Sequence, residues 1–306
     1  MDQKQFLSDR INALTESATL EMTRLSRELK DKGIDVINLS IGEPDFNTPV
    51  FVKEAAKAAI DNNNTHYTPV PGTLDLRKAI VEKLKRDNSL EYKASQIVVS
   101  NGAKQSIANA LLCLINQGDE VVIPAPYWVS YPQMVKLAEG VPVVINTTVE
   151  NQFKITPQQL EKAISKKTKA FLFSSPCNPT GSVYTAEEMD ELANVFRKYP
   201  NIFIISDEIY EYIRFDGQHL SLAQFDDIKD RVILINGLSK GFAMTGWRIG
   251  YMAAEQFIAD ACNKLQGQYT SGGSSISQAA AVEALKTDPA GSTEIHQMVS
   301  EFHKRR

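Results

Sequence analysis

The chain has 306 residues, of which 43% are hydrophobic and 23% charged, enough to bury a large core as one domain or two. A formal net charge of −4 with scattered Lys and Arg gives no basic stripe, which argues against a nucleic-acid binder. Three dispersed cysteines (Cys113, Cys177 and Cys262) and four histidines without H-E-x-x-H spacing argue against a disulfide framework and against metal catalysis.

The N-terminus carries Asp2, Lys4, Asp9 and Arg10 with no apolar run behind them, so neither a signal peptide nor a membrane span is expected, and a cytoplasmic location is. Residues 1–33 read as a polar arm followed by a helix through Leu20, Met22, Leu25 and Leu29. Val36–Leu39 is expected to be a short strand entering a Gly-Glu-Pro-Asp-Phe turn at residues 42–46. Helices are expected over residues 50–61 and 73–86, separated by an irregular stretch at residues 65–72 that holds two prolines and a glycine.

From Ile97 onward short apolar runs alternate with helical periods. Strands are expected at residues 97–99, 120–123, 141–145, 169–173, 202–205, 231–235 and 249–252. Helices are expected at 103–115, 128–138, 157–164, 186–199, 256–265 and 279–285, with a last helical segment at 294–306. This order predicts an α/β fold: a mostly parallel central sheet covered by helices on both faces, in three α/β/α layers.

In such sheets ligands sit outside the carboxyl ends of the strands, and five expected strands end in polar residues. Gly102-Ala103-Lys104 opens a helix after the first, exposing N–H groups suited to an anion. Tyr127-Trp128 follows the second, Asn178 the fourth, Asp207 and Tyr210 the fifth, and Ser239-Lys240 the sixth, with Arg248 eight residues beyond the lysine. Taken singly, Asp207 reads as a turn or cap residue, Trp128 as packing, Asn178 before Pro179 as a turn former and Lys240 as a solvated charge.

Together they suit a planar, phosphorylated, pyridine-like aldehyde. Lys240 would hold the aldehyde carbon, and Asp207 would pair with the ring nitrogen. Asn178 and Tyr210 would bond the ring hydroxyl, Trp128 would stack, and Arg248 with the helix start at Gly102 would hold the phosphate.

The whole chain resembles the class I pyridoxal-phosphate aminotransferases of fold type I, within the bacterial aspartate aminotransferase branch. The resemblance rests on Ile41-Gly42-Glu43-Pro44-Asp45-Phe46, Tyr67, Gly102-Ala103-Lys104, Tyr127-Trp128-Val129-Ser130-Tyr131-Pro132 and Asn178-Pro179-Thr180-Gly181. It continues through Ser206-Asp207-Glu208-Ile209-Tyr210 and from Ser239-Lys240 to Trp247-Arg248-Ile249-Gly250-Tyr251. It implies amino transfer by a ping-pong route between an L-amino acid, aspartate in this branch, and a 2-oxo acid such as 2-oxoglutarate. Other fold-type I chemistries, aromatic amino acid transfer or β-elimination, are the alternatives.

The resemblance makes Lys240 the Schiff-base lysine and proton-transfer base, with Asp207 and Tyr210 as its catalytic partners. It assigns Gly102, Ala103, Lys104, Trp128, Asn178, Ser239 and Arg248 to the cofactor, and Gly42, Trp128, Asn178 and Lys104 to the substrate. Lys104 would favour an acidic substrate side chain or cap the phosphate-binding helix. Tyr67 would reach the phosphate of a neighbouring subunit, implying a homodimer with shared active sites. No metal, nucleic acid or membrane partner is implied.

Two departures are expected. Gly237 stands where some members have a serine three residues before the lysine, so that phosphate contact would come from elsewhere. The sequence also ends at Arg306, ahead of the small-domain arginine that grips the substrate's α-carboxylate. The implied division is an N-terminal arm and part of the small domain at 1–45, a large cofactor domain at 46–288, and at 289–306 the start of a helix leading into a truncated small domain. That division implies either a fragment or a shortened cofactor-binding protein with little turnover.

Overall fold

The computed structural model describes residues 3–39 and 41–306, so the first residues of the expected N-terminal arm and Ser40 lie outside the described residues. In chain order the elements are α1 (Asp9–Asn12), α2 (Ala18–Asp31), α3 (Val50–Asp61), α4 (Leu74–Asn88), β1 (Ile97–Ser100), α5 (Ala103–Leu114), β2 (Glu120–Ala125) and α6 (Tyr131–Leu137). There follow β3 (Val141–Asn146), α7 (Pro157–Ala163), β4 (Thr168–Ser174), α8 (Ala186–Lys198), β5 (Phe203–Asp207), β6 (Val232–Gly237), β7 (Gly250–Ala253), α9 (Gln256–Tyr269), α10 (Ser275–Lys286) and α11 (Thr293–Arg305).

The local sequence explains several boundaries. Thr73 caps α4 by accepting from Leu76 N, and Ser89 closes it in a left-handed conformation. Thr185 and Glu188 form a reciprocal capping box at the start of α8, whose last turn carries Arg197 and Lys198 against the helix dipole. Thr156 and Gln159 do the same for α7, with Pro157 at its first position.

Among the described residues seven strands form one sheet, in the order β1-β7-β6-β5-β4-β2-β3. The β2–β3, β2–β4, β4–β5 and β5–β6 pairs are parallel, whereas β7 is antiparallel to both β1 and β6. Six strands therefore point one way and only β7 runs back. That reversal brings the start of β7 to the same edge as the ends of the others, with Gly250 opposite both Ser100 and Gly237.

Alternate residues of the buried strands face two separate cores. Phe171 and Phe173 of β4 pack with α3, α4, α8 and α10 through residues such as Val52, Ile80, Leu192 and Ala284. Ala170 and Leu172 pack on the other side against Ile107, Val135 and Ile258 of α5, α6 and α9. The expected three-layer architecture is the observed one.

Some expectations need correction. Residues 36–39 form no strand: Ile37 and Leu39 are 85% and 90% exposed, and a β run without a neighbouring edge has nothing to complete its ladder. Helix α6 starts at Tyr131 rather than Trp128, because Pro132 is best accommodated in a first helical turn and the preceding residues make the loop. Asp207 closes β5 instead of following it. Among the described residues no helix is long and apolar enough to cross a membrane.

Candidate active site

The strand ends converge on a cavity of about 510 Å³, within the range of roughly 300–1,000 Å³ usual for small-molecule sites. It is lined by Gly42, Ala103, Lys104, Trp128, Asn178, Asp207, Tyr210, Ser239, Lys240 and Arg248, so the structure brings most of the expected site residues together. Gly102 sits directly behind Ala103 as the N-cap of α5. Tyr67 is absent from the lining and fully exposed on the irregular stretch before α4.

Lys240 lies in a turn just beyond β6, and its Nζ donates to Gly42 O at 2.6 Å. The ammonium stands 5.8 Å from the centroid of the Tyr210 ring. Burial lowers its pKa below the ordinary lysine value, and Arg248 adds to that, while Glu43 and Asp207 oppose it. The bond to Gly42 O ties the lysine to the N-terminal segment, which also contributes Thr19, Leu39 and Ile41 to the cavity wall. The sequence assigns these three no place in the site, because they reach the cavity from the N-terminal segment and not from the edge where the sheet strands end.

Asp207 is buried, and burial pushes its pKa up to about 6. Tyr131 O–H donates to its Oδ2 at 2.6 Å and Ile209 N–H to its Oδ1 at 3.3 Å; both contacts favour the ionised form but do not offset the lost hydration. Tyr131, itself buried at the start of α6, is a site residue that its place in the sequence motif does not disclose.

Asn178 Nδ2 donates to Tyr210 Oη at 3.4 Å, and burial, reinforced by the Asp207 charge, pushes the Tyr210 phenol up to about 12. Trp128 meets Tyr131 edge-on at 5.6 Å, and Lys104 Nζ stands 4.7 Å from the centroid of the indole ring. Burial, and then Arg248, lowers the pKa of Lys104.

Arg248 precedes β7 in a left-handed conformation, and its guanidinium donates to Thr245 O at 2.9 Å and Asn101 O at 3.0 Å. It fills the space that a side chain at position 102 would need. Gly102 has φ +89°, and a Cβ there would fall 2.2 Å from Arg248 Nη2. A guanidinium and the first N–H groups of a 12-residue helix thus meet at one end of the cavity, the donor set of a phosphate site. With an amine at Lys240 and a buried carboxyl at Asp207, the residues present fit a phosphorylated pyridine aldehyde. The serine missing at position 237 also has a steric reason, because a Cβ on Gly237 would lie 2.8 Å from Ile249 O. Among the described residues no cluster of His, Cys, Asp and Glu could hold a metal ion.

The fold and this site define a three-layer α/β enzyme architecture of the type found in fold-type I transferases. The model of the family "Aminotransferase class I and II" matches residues 34–306, and the chain belongs to that family. It is 47% identical over 301 residues to a bifunctional aspartate aminotransferase and glutamate/aspartate-prephenate aminotransferase of Petunia hybrida, covering 98% of this chain and 63% of that protein. It is 50% identical over 284 residues to an aspartate/prephenate aminotransferase of Nitrosomonas europaea, covering 92% of this chain and 72% of that protein. The chain thus spans less than two thirds of the Petunia relative's length. Among solved structures, the aspartate aminotransferase of Rhizobium meliloti superposes with a TM-score of 0.94 at 40% identity, covering 98% of this chain and 74% of that one. The Thermus thermophilus aspartate aminotransferase with maleate gives 0.94 at 37% identity, covering 98% and 78%.

Proposed function

We propose that this chain binds pyridoxal phosphate at Lys240 and serves amino transfer from aspartate to a 2-oxo acid. The observation that carries the reading is the placement of the Lys240 amine and the buried Asp207 carboxyl on one cavity, with Arg248 packed into the notch left by Gly102. When bound, pyridoxal phosphate supplies the electron sink that stabilises charge at the substrate α-carbon.

The protein's part is positional and acid–base. Lys240 Nζ, which donates to Gly42 O in this structure, would be the amine that holds the cofactor aldehyde and, once the substrate amine has taken its place, the base for the proton on the substrate α-carbon. Its lowered pKa enlarges the share of neutral amine available for both tasks. Asp207 Oδ2 or Oδ1 holds a proton on the ring nitrogen, and Tyr131 keeps the carboxyl aimed. Tyr210 and Asn178 donate to the ring oxygen, while Arg248, Ser239 and the N–H groups of Ala103 and Lys104 bind the phosphate. Trp128 covers the ring face and keeps water from it. Gly42, Trp128, Asn178 and Lys104 border the substrate, with Lys104 facing an acidic side chain.

The same reading makes the working form a homodimer in which the exposed Tyr67 reaches a second subunit's phosphate site. It divides the chain at 1–45, 46–288 and 289–306 into arm, cofactor domain and the start of a C-terminal domain. The sparse, dispersed cysteines suit a reducing cytoplasm. The prephenate activity in the names of two relatives nominates prephenate beside 2-oxoglutarate as amino acceptor.

The experiment is reconstitution with pyridoxal phosphate, borohydride reduction and peptide mapping, followed by assay of aspartate with each acceptor. An adduct on Lys240 and formation of the aminated acceptor are expected. A chain that gives no Lys240 adduct contradicts the reading at its root, and one that eliminates rather than transfers contradicts the reaction.

A further inference from the structure

Behind the cavity lies a buried polar cluster that the proposed chemistry does not use. Lys83 of α4 has a side chain only 1% exposed and forms an ion pair with Glu211 Oε2 at 2.5 Å. Lys83 Nζ also donates to Asn88 Oδ1 at 2.7 Å, Asn88 Nδ2 to Glu211 Oε1 at 2.9 Å, and Asn236 Nδ2 to Glu211 Oε2 at 2.6 Å. Asn236 Oδ1 in turn accepts from Gly237 N at 2.7 Å. Three donors therefore converge on one carboxylate, which when ionised only accepts and has about four lone-pair sites to receive them. Burial by itself would raise the Glu211 carboxyl, but the Lys83 charge, with hydrogen bonds from Lys83 and Asn88, holds it below the ordinary value.

The sequence positions give the cluster its interest. Glu211 directly follows Tyr210, and Asn236 lies four residues before Lys240. A second fastening lies just past the lysine. The Tyr212 ring meets Phe242 edge-on at 5.7 Å, and a Cβ at Gly241 would fall 2.5 Å from Tyr212 Cδ2. Tyr212 Oη is itself held by Asp87 Oδ2 at 2.6 Å, one turn along α4 from Lys83. The Tyr210–Tyr212 segment is thus pinned to the Lys240 segment on both sides of the lysine, and both pins are anchored to α4.

A buried ion pair is a poor source of net stability, and fixing one geometry is its better-attested use. We propose that Lys83 and Glu211 are positioning residues that, through Asn236, set the spacing between Tyr210 and Lys240. The inference rests on the reading of Lys240 as the cofactor's amine. It predicts that loosening the cluster changes how Tyr210 donates to the ring oxygen without removing any group from the cavity.

The test loads wild-type chain, Asn236→Ala, and the paired Lys83→Met/Glu211→Gln variant with pyridoxal phosphate. The absorbance midpoint of the bound cofactor is read against pH, beside a thermal melt and the borohydride peptide map. The paired variant removes both charges at once, so no unpaired buried charge remains, and Asn236→Ala leaves the ion pair intact. Lys154→Met/Glu188→Gln neutralises another ion pair with a largely buried lysine, outside the cavity lining, and serves as the control.

A Tyr210 hydroxyl that donates less to the ring oxygen leaves the bound proton more tightly held. The midpoint is therefore expected to rise by about half a unit or more in both cluster variants, with the adduct still on Lys240 and the control unchanged. Cluster variants that melt lower but titrate with the wild type overturn the proposal and reduce the pair to scaffold. A wild-type chain with no adduct on Lys240 overturns the reading beneath it instead, so the two failures are distinguishable.

Discussion

The Tyr131 hydroxyl donates to Asp207 Oδ2 at 2.6 Å from the first residue of α6, across the end of β4. Both groups are buried, so this bond is the main side-chain support for an ionised Asp207 within the protein itself. Tyr131→Phe is expected to leave the carboxyl with Ile209 N–H alone and raise its pKa further. A lost hydrogen bond to a charged group is worth about 1.5–3 kcal/mol, which corresponds to cofactor affinity weaker by roughly tenfold to a hundredfold at neutral pH. Spectroscopic titration with pyridoxal phosphate at pH 6 and pH 8 checks it; equal affinity for variant and wild type at both values would count against the role.

Asp207 also makes a prediction about stability. Its pKa is raised from 3.8 to about 6, so between those values the folded chain binds more protons than the unfolded one. Stability of the ligand-free protein from this group therefore falls as pH rises through that window, by on the order of 2–3 kcal/mol, and stays lower above it. Asp207→Asn removes the titration while keeping an oxygen for Tyr131. Its ligand-free form is expected to gain stability over wild type at pH 7.5 and to lose that gain near pH 4. Denaturant melts at the two pH values measure this outcome, and a gain of equal size at both would sink the explanation.

The contrast between Asp207 and Tyr131 marks what the sequence could disclose. Asp207, Asn178 and Lys240 were legible because each falls where a short apolar run ends, and such ends gather at one sheet edge. Tyr131 was not, because its bond to Asp207 spans 76 positions and depends on β2 and β5 both flanking β4. Strand direction was equally hidden. An apolar run carries no sign, and only the pairing of β7 with β1 and β6 shows that it runs back and delivers Arg248 to the site. Val36–Leu39 failed in the opposite way: its composition suits a strand, but pairing is decided by what lies beside it.

Gly102 is a steric prediction with a built-in control. A methyl at this position meets Arg248 Nη2 and also strains a backbone held at φ +89°, at a cost of order 1–3 kcal/mol. Gly102→Ala is expected to push the guanidinium out of the notch and weaken binding of pyridoxal phosphate by tenfold or so. Pyridoxal, which lacks the phosphate, should bind variant and wild type alike. Parallel titrations with the two aldehydes separate the outcomes, since equal losses for both would mean that the whole cavity has shifted.

Lys104 carries the last prediction, because two roles compete for it. Its ammonium stands over the Trp128 ring, and burial beside Arg248 already disfavours its charge. An anionic partner would reverse that disfavour, and both a substrate side-chain carboxylate and the cofactor phosphate would qualify. Lys104→Met keeps the length of the stem and its packing while removing the charge. If the side-chain carboxylate is the partner, kcat/KM for aspartate should fall about tenfold to a hundredfold while that for alanine changes by less than about threefold. If the phosphate is the partner, pyridoxal phosphate affinity falls instead, and at saturating cofactor neither amino donor is penalised over the other. Steady-state kinetics with the two donors at saturating cofactor, beside a spectroscopic titration of pyridoxal phosphate, assign the lysine to one partner or the other.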